Sequence, residues 1–163
     1  MLNILVIGSG AREHAIVRSL SGSSKKKEIY CLATNYNPGI AQVCKDISVA
    51  DINDPETVKI YAKKKKIDFA IIGPENPLAN GVADALFDIG VESVGPKKDL
   101  AQIETSKSFT RNLLTEYKIP GCPKFKTFSS MEGVEEFLDE LGDYYVVKYD
   151  GLAGGKGVKV AGD

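Results

Sequence analysis

Short apolar segments that alternate with helical patterns constrain the fold of this chain more than any other feature. The first segment, Leu2 to Ile7, is rich in branched side chains, and after Gly8-Ser9-Gly10 the apolar residues recur at helical spacing. Further apolar segments follow at 28–33, 46–49, 68–72 and 91–94, with helices predicted between them, including 55–66 and 78–89. This alternation predicts an α/β fold in which a mostly parallel sheet carries helices on both faces.

The pattern changes near residue 101. Beyond it we predict a helix at 106–117, a strand at 123–128, a helix at 132–141, and strands at 144–149 and 157–160 joined as a hairpin. We therefore expect a first domain at residues 1–101 and the beginning of a second at residues 102–163.

Composition narrows the classes of partner. The chain has 163 residues with 43% hydrophobic and 26% charged content, which is ordinary for a globular protein, and its net charge of -1 argues against a general nucleic-acid binder. Its three cysteines, Cys31, Cys44 and Cys122, have no metal-site spacing and predict reduced thiols in a cytoplasmic protein. The opening apolar segment is too short for a membrane span or a signal peptide, so no membrane partner is expected.

Gly8-Ser9-Gly10 lies where parallel sheets bind phosphates, between the end of a strand and the start of a helix. A dinucleotide fingerprint needs a third glycine at position 13 and an acid after the second strand. Position 13 is Glu13, and the stretch 33–35 has no acid, so NAD binding is disfavoured.

Two polar groups of residues flank this edge of the predicted sheet. Arg12, Glu13 and His14 occupy the first helical turn, where Arg12 is suited to clamp a phosphate and its neighbours to hold hydroxyls or an amine. The stiff sequence 73–77, Gly-Pro-Glu-Asn-Pro, follows a second buried strand at the same edge and presents Glu75 and Asn76. The alternative interpretations are an exposed helical turn and a structural turn before a helix.

Residues 146–158, VVKYDGLAGGKGV, combine four glycines with two lysines after an apolar strand. The segment is not a Walker A loop, because Gly157 rather than Ser or Thr follows Lys156, and a strand is predicted next. Glycines let a backbone close over phosphates, and Lys148 and Lys156 supply neutralising charge, so we favour nucleotide phosphate binding over a plain hairpin. Neither a zinc site nor a Ser-His-Asp or Cys-His arrangement can be assembled.

Four motifs in register connect the chain to a known family: GSGAREHA at 8–15, GPENPLANGVAD at 73–84, SKSFTR at 106–111, and VVKYDGLAGGKGV. With them the sequence resembles the amino-terminal part of phosphoribosylamine-glycine ligases of the ATP-grasp superfamily. Two departures are the loop at 35–39, NYNPG, where relatives often have a shorter loop, and Gly154, where many have alanine.

The resemblance implies a Rossmann-like domain followed by an ATP-grasp domain. Such enzymes activate a carboxylate as an acyl phosphate that an amine then attacks, so ATP, glycine and 5-phosphoribosylamine are the implied substrates and Mg2+ (or Mn2+) the implied metal. The residues implied to bind phosphoribosylamine are Gly10, Arg12, Glu13, His14, Gly73, Pro74, Glu75, Asn76 and Pro77. Those implied to bind ATP are Lys107, Lys148, Gly151, Gly154, Gly155, Lys156 and Gly157.

The family places its metal-binding carboxylates and its glycine site farther along its chain. No catalytic residue and no metal ligand is therefore expected within these 163 residues, and we expect the chain by itself to bind parts of the reaction without performing it. The alternatives are another ATP-grasp ligase of purine metabolism and a nucleotide-binding or NAD-binding module without catalysis.

Overall fold

The structure, a computed structural model, describes residues 1–161, so Gly162 and Asp163, the end of the predicted second domain, lie outside the described residues. The chain forms two compact units, Met1–Ala101 and Gln102–Asp163. The elements of the chain, in order, are β1 (Leu2–Ile7), α1 (Ala11–Ser21), β2 (Lys27–Ala33), α2 (Pro38–Ala41), β3 (Asp46–Val49), α3 (Pro55–Lys65), β4 (Phe69–Ile72), α4 (Glu75–Ala79), α5 (Val82–Phe87), β5 (Glu92–Val94), α6 (Lys98–Thr105), α7 (Lys107–Glu116), α8 (Val134–Leu141), β6 (Val146–Lys148) and β7 (Val158–Val160).

The first unit is built on a five-stranded sheet with the order β3-β2-β1-β4-β5. Every pairing is parallel, and β1 lies between β2 and β4, with Ile7 opposite Leu32 on one side and Ile72 on the other. The direction of winding reverses at β1. The loops that follow β1 and β4 therefore border the crevice where open α/β sheets bind their ligands.

Side chains alternate between the two faces of this sheet and form a separate core on each. On one face Leu5 and Ile7 pack with residues of α3 and α5, including Val58 and Leu86. On the other face Val6 packs with α1 and α2. Because successive strand residues point to opposite faces, these two cores confirm the predicted α/β sheet with helices on both faces.

Most predicted elements are confirmed within a few residues, and four differ. The helix predicted at 78–89 is two helices, because Gly81 adopts a left-handed backbone conformation with φ of 87° between α4 and α5. The strand predicted at 123–128 is wrong, since this stretch is irregular and Pro123 has no N–H to donate to a sheet. Helices α2 and α6 were not anticipated from the sequence, and α2 begins within the stretch 35–39 that was predicted as a loop.

The second unit contains helices α7 and α8 and the predicted hairpin, in which β6 and β7 pair antiparallel with Lys148 opposite Val158. Every described residue from 102 to 161 keeps part of its surface exposed, and Val146, Val147, Val158 and Val160 of the hairpin are among the exposed apolar side chains. Within residues 1–161, none of the helices has the length and apolar character needed to cross a bilayer.

Candidate substrate and nucleotide sites

The loop after β1 and the loop after β4 meet at the edge of the sheet where the direction of winding reverses. Gly8 N–H donates to the Leu32 carbonyl at 2.9 Å, and Gly73 N–H donates to the Ile7 carbonyl at 3.1 Å, so both loops start from the ends of paired strands. The sequence predictions placed both loops at one edge of the sheet, and the structure brings them together.

Arg12 connects the two loops from the exposed side. Its Nη1 donates to the Gly73 carbonyl at 2.5 Å, and both terminal nitrogens donate to Glu75 Oε1 at 3.1 and 3.2 Å. The pKa of Glu75 is lowered by a hydrogen bond from its own backbone N–H and, to a smaller extent, by Arg12, with partial desolvation opposing them. Since the Arg12 side chain is 60% exposed, it remains accessible to an anion in the crevice.

Glu13 connects the same loops from the buried side. Only 5% of its surface is exposed, and its Oε2 accepts the Gly10 N–H at 2.6 Å. This bond reaches back from the first helical turn to the residue that begins the helix, as the acid of a capping box does. The Gly10 N–H is therefore occupied, and the N–H groups left for an anion at this helix start are those of Ala11, Arg12 and Glu13.

His14 faces the short helix α2, which follows the loop after β2. A methyl group at Gly39 would come within 2.5 Å of His14 Cε1, so the ring lies directly against the Gly39 backbone. Asn37 completes this contact between loops, because its Nδ2 donates to the Ser9 carbonyl at 2.9 Å while its Oδ1 caps α2. The sequence interpretation missed Asn37, although an Asn before a Pro is a recognisable helix start.

The remaining predicted substrate residues differ in exposure. Asn76 is exposed and Pro74 and Gly73 are half-buried, whereas Pro77 is fully buried in the core. Pro77 therefore supports the start of α4 rather than presenting its ring to a ligand.

In the second unit, Asp150 organises the predicted nucleotide residues. Its Oδ1 accepts the backbone N–H groups of Lys107 at 2.7 Å and Ser108 at 3.2 Å, and its Oδ2 accepts the Ser108 hydroxyl. These hydrogen bonds lower the pKa of Asp150, and the bond from the Ser108 hydroxyl has the largest effect. Partial burial acts in the opposite direction. Asp150 thus caps α7 together with Ser106, whose Oγ accepts the Phe109 N–H at 3.1 Å.

Lys107 also contacts the glycine-rich segment. Its Nζ donates to the Gly151 carbonyl at 2.7 Å. Gly151, Gly154 and Gly155 have φ values of 141°, 54° and 79°, which residues other than glycine rarely adopt. A methyl group at Gly154 or Gly155 would meet no atom within 4 Å. The segment therefore presents open backbone at Gly154 and Gly155. Its other two glycines are crowded, because a methyl at Gly151 would come 2.9 Å from Tyr149 Cε1 and one at Gly157 would come 2.8 Å from Ala153 Cβ.

Two lysines of the hairpin carry free charge. The ammonium groups of Lys148 and Lys156 are exposed and form no hydrogen bond or ion pair with any residue of the described chain, 1–161. A cleft of about 1080 Å³ in this unit is lined by Lys107, Arg111, Lys148 and Asp150 together with apolar side chains of α8 and β6. Lys107 and Lys148 thus border an apolar cleft that suits a nucleotide, whereas none of the residues 151–157, including Lys156 and the glycines, lines this cleft.

A parallel sheet with a polar crevice where its strand order reverses, followed by a lysine-bearing glycine hairpin, is the arrangement expected for the amino-terminal part of an ATP-grasp ligase. The chain matches the family models described as "Phosphoribosylglycinamide synthetase, N domain" over residues 2–104 and "Phosphoribosylglycinamide synthetase, ATP-grasp (A) domain" over residues 105–163. The chain belongs to the phosphoribosylglycinamide synthetase family, and the resemblance drawn from its motifs is confirmed.

Relatives of similar sequence carry the name phosphoribosylamine–glycine ligase. The protein of Methanocaldococcus jannaschii is 49% identical over 166 residues, and that of Methanopyrus kandleri is 48% identical over 164 residues. These alignments cover 99% and 100% of this chain but 37% and 36% of the relatives, so the chain spans a little over a third of their length.

Solved structures show the same fold. The ADP complex of N5-carboxyaminoimidazole ribonucleotide synthetase has a TM-score of 0.75 and 21% identity over 98% of this chain and 41% of its own. Phosphoribosylglycinamide synthetase from Anaerococcus prevotii has a TM-score of 0.64 and 16% identity over 98% of this chain and 38% of its own. At these identities the likeness is one of fold.

Proposed function

We propose that this chain supplies the phosphoribosylamine-binding domain and part of the ATP-binding domain of an ATP-dependent ligase. That ligase joins glycine to 5-phosphoribosylamine through a glycyl phosphate and yields glycinamide ribonucleotide, ADP and phosphate in purine biosynthesis. The observation that carries the proposal is the meeting of the loops after β1 and β4, which bear the family motifs, at the reversal point of the sheet. A cytoplasmic location accords with this role and with the free state of the cysteines.

The chemistry fits the residue types. Phosphoryl transfer to a carboxylate needs positioning and charge neutralisation more than a protein nucleophile. The N–H groups at the start of α1 and the Arg12 guanidinium suit the ribose phosphate. The Lys148 and Lys156 ammonium groups, with the backbone N–H groups of 151–157, suit the phosphates of ATP.

The divalent metal rests on the family rather than on these residues. A biotin carboxylase domain of similar fold, with a TM-score of 0.77 and 14% identity, was crystallised with MgADP. Among residues 1–161 of this chain no group of three or more His, Cys, Asp or Glu side chains is arranged to hold a metal ion.

Two alternatives have less support. Another purine ATP-grasp ligase shares the fold, but the relatives at 43–49% identity bear the glycine ligase name. An NAD-binding module is disfavoured because the buried Glu13 carboxylate takes the place of the third glycine of the dinucleotide fingerprint.

Calorimetric titration of the chain tests the proposal directly. We expect ribose 5-phosphate and ADP each to bind, because the first carries the phosphate and ribose of phosphoribosylamine and the second the adenine nucleotide. NAD, with no matching fingerprint, is the negative control. Binding of NAD without binding of ribose 5-phosphate would contradict the proposed function and favour the dinucleotide module.

A further inference from the structure

Glu13 is the one charged residue that is buried among residues 1–161. Its surroundings contain backbone from two loops, and the Gly10 N–H is the hydrogen-bond donor found for its carboxylate. Burial of a charged group is costly unless the group is paired or hydrogen-bonded. The residues packed around Glu13 indicate which structural role accompanies this cost.

The side chain of Glu13 packs against three glycines. A methyl group at Gly8 would lie 2.8 Å from Glu13 Cγ and Cδ, and one at Gly10 would lie 3.0 Å from Oε2. A methyl at Gly73 would overlap Oε1 and come 2.6 Å from Cγ and Cδ. The Glu13 side chain therefore fills the space where the loop after β1 approaches the loop after β4.

These glycines are required for different reasons. Gly8 has a φ of 120°, so a side chain there is strained whatever surrounds it. Gly73 has no positive φ, and the three atoms nearest to an added methyl all belong to Glu13. The absence of a side chain at Gly73 is thus a consequence of the position that Glu13 occupies.

We propose that Glu13 is a positioning residue that sets the spacing of the two substrate loops by packing its carboxylate against Gly73, rather than a residue that contacts substrate. The proposal rests on the proposed function, because the spacing matters for the ribose 5-phosphate part of the substrate. Arg12 then holds the same two loops from the solvent side, with its donor on the Gly73 carbonyl.

A double-mutant cycle between positions 13 and 73 tests the proposal, with the affinity of the chain for ribose 5-phosphate as the readout. Glu13→Ala and Gly73→Ala are each expected to weaken binding about 10-fold, the effect of a lost buried polar contact or a displaced loop. Once Glu13 is alanine, Gly73→Ala is expected to cost less than about 2-fold more, because the side chain it strikes is gone.

Three controls accompany the cycle. Gly8→Ala is expected to remain harmful in both backgrounds, since its strain lies in the backbone. Glu13→Gln keeps the shape and the acceptor for Gly10 N–H, so binding is expected to return to within about 3-fold of the unsubstituted chain. The affinity for ADP and the melting temperature show whether each variant is folded.

An equal penalty for Gly73→Ala in both backgrounds, or a Glu13→Gln variant as weak as Glu13→Ala in a folded chain, would overturn the proposal. Failure of the unsubstituted chain to bind ribose 5-phosphate would contradict the proposed function instead. The amide chemical shifts of 10–12 and 73–75 in the same variants would then still decide whether Glu13 couples the two loops. Shifts confined to 10–12 in Glu13→Ala would refute the coupling.

Discussion

Three consecutive residues of α1 have three different environments. Arg12 is exposed and donates to Gly73 and Glu75. Glu13 is buried between the loops after β1 and β4, and His14 lies against the Gly39 backbone of α2. Their place beside the first loop could be predicted from the sequence. Their burial could not, because it depends on which backbone segments the reversal of the sheet brings against the first turn of α1.

Replacing Arg12 with alanine is expected to weaken ribose 5-phosphate binding by roughly 1 to 3 kcal/mol, the cost of losing a charged hydrogen-bond partner. Arg12→Lys is expected to recover only part of this loss, since an ammonium cannot reproduce the planar fork that contacts Gly73 and Glu75. Calorimetric titration measures both variants. Arg18→Ala is the matched control, because Arg18 is an exposed arginine in the last turn of the same helix. Equal affinities for the Arg12→Ala and Arg18→Ala variants would remove Arg12 from the site.

At the scale of elements, local sequence predicted the regular strands and helices better than their interruptions. The helix predicted at 55–66 is α3, and Asp54 accepts the Thr57 N–H at 3.0 Å as an N-cap should. The break at Gly81 was missed because the apolar pattern continues through it. The cap of α7 by Asp150 is a contact between residues more than 40 positions apart, which no local pattern contains.

Asp150→Ala is expected to destabilise the first turn of α7 locally by about 0.5 to 2 kcal/mol, the usual value of an N-cap. The amides of Lys107 and Ser108 lose their acceptor, so their hydrogen exchange should accelerate, and that of 151–157 with them because Asp150 adjoins this segment. Asp143→Ala, which changes an exposed acid of the same unit, is expected to leave these rates unchanged.

The same cap has a defined pH dependence. The folded pKa of Asp150 is below its unfolded value, so its stabilising effect is fully present above the unfolded pKa and disappears as the pH falls through the folded pKa. Protection of the Lys107 and Ser108 amides should therefore fall on acidification in the unsubstituted chain and not in Asp150→Ala. The same acid-induced loss in both proteins would show that the cap does not carry this effect.

At the scale of the whole molecule, the fold and the family could be predicted from the sequence. The contacts of the candidate site could not, because they depend on the order in which the strands pair. The strand pattern predicted the parallel sheet, and four motifs predicted the family that residues 2–104 and 105–163 match. The strand order could not be predicted, because it depends on which strands pair across the sheet. It is this order that brings the loops after β1 and β4 together. The chain spans about 37% of its Methanocaldococcus jannaschii relative.

The formation of ADP by the complete gene product that carries this sequence is the most direct test of the proposed activity. With ATP and Mg2+ present, ADP release is expected only when both glycine and 5-phosphoribosylamine are supplied, because the acyl phosphate turns over only when the amine consumes it. Omission of either substrate should reduce ADP release to background. ADP release that does not depend on glycine, or that requires a different ribonucleotide in place of phosphoribosylamine, would contradict the proposed activity.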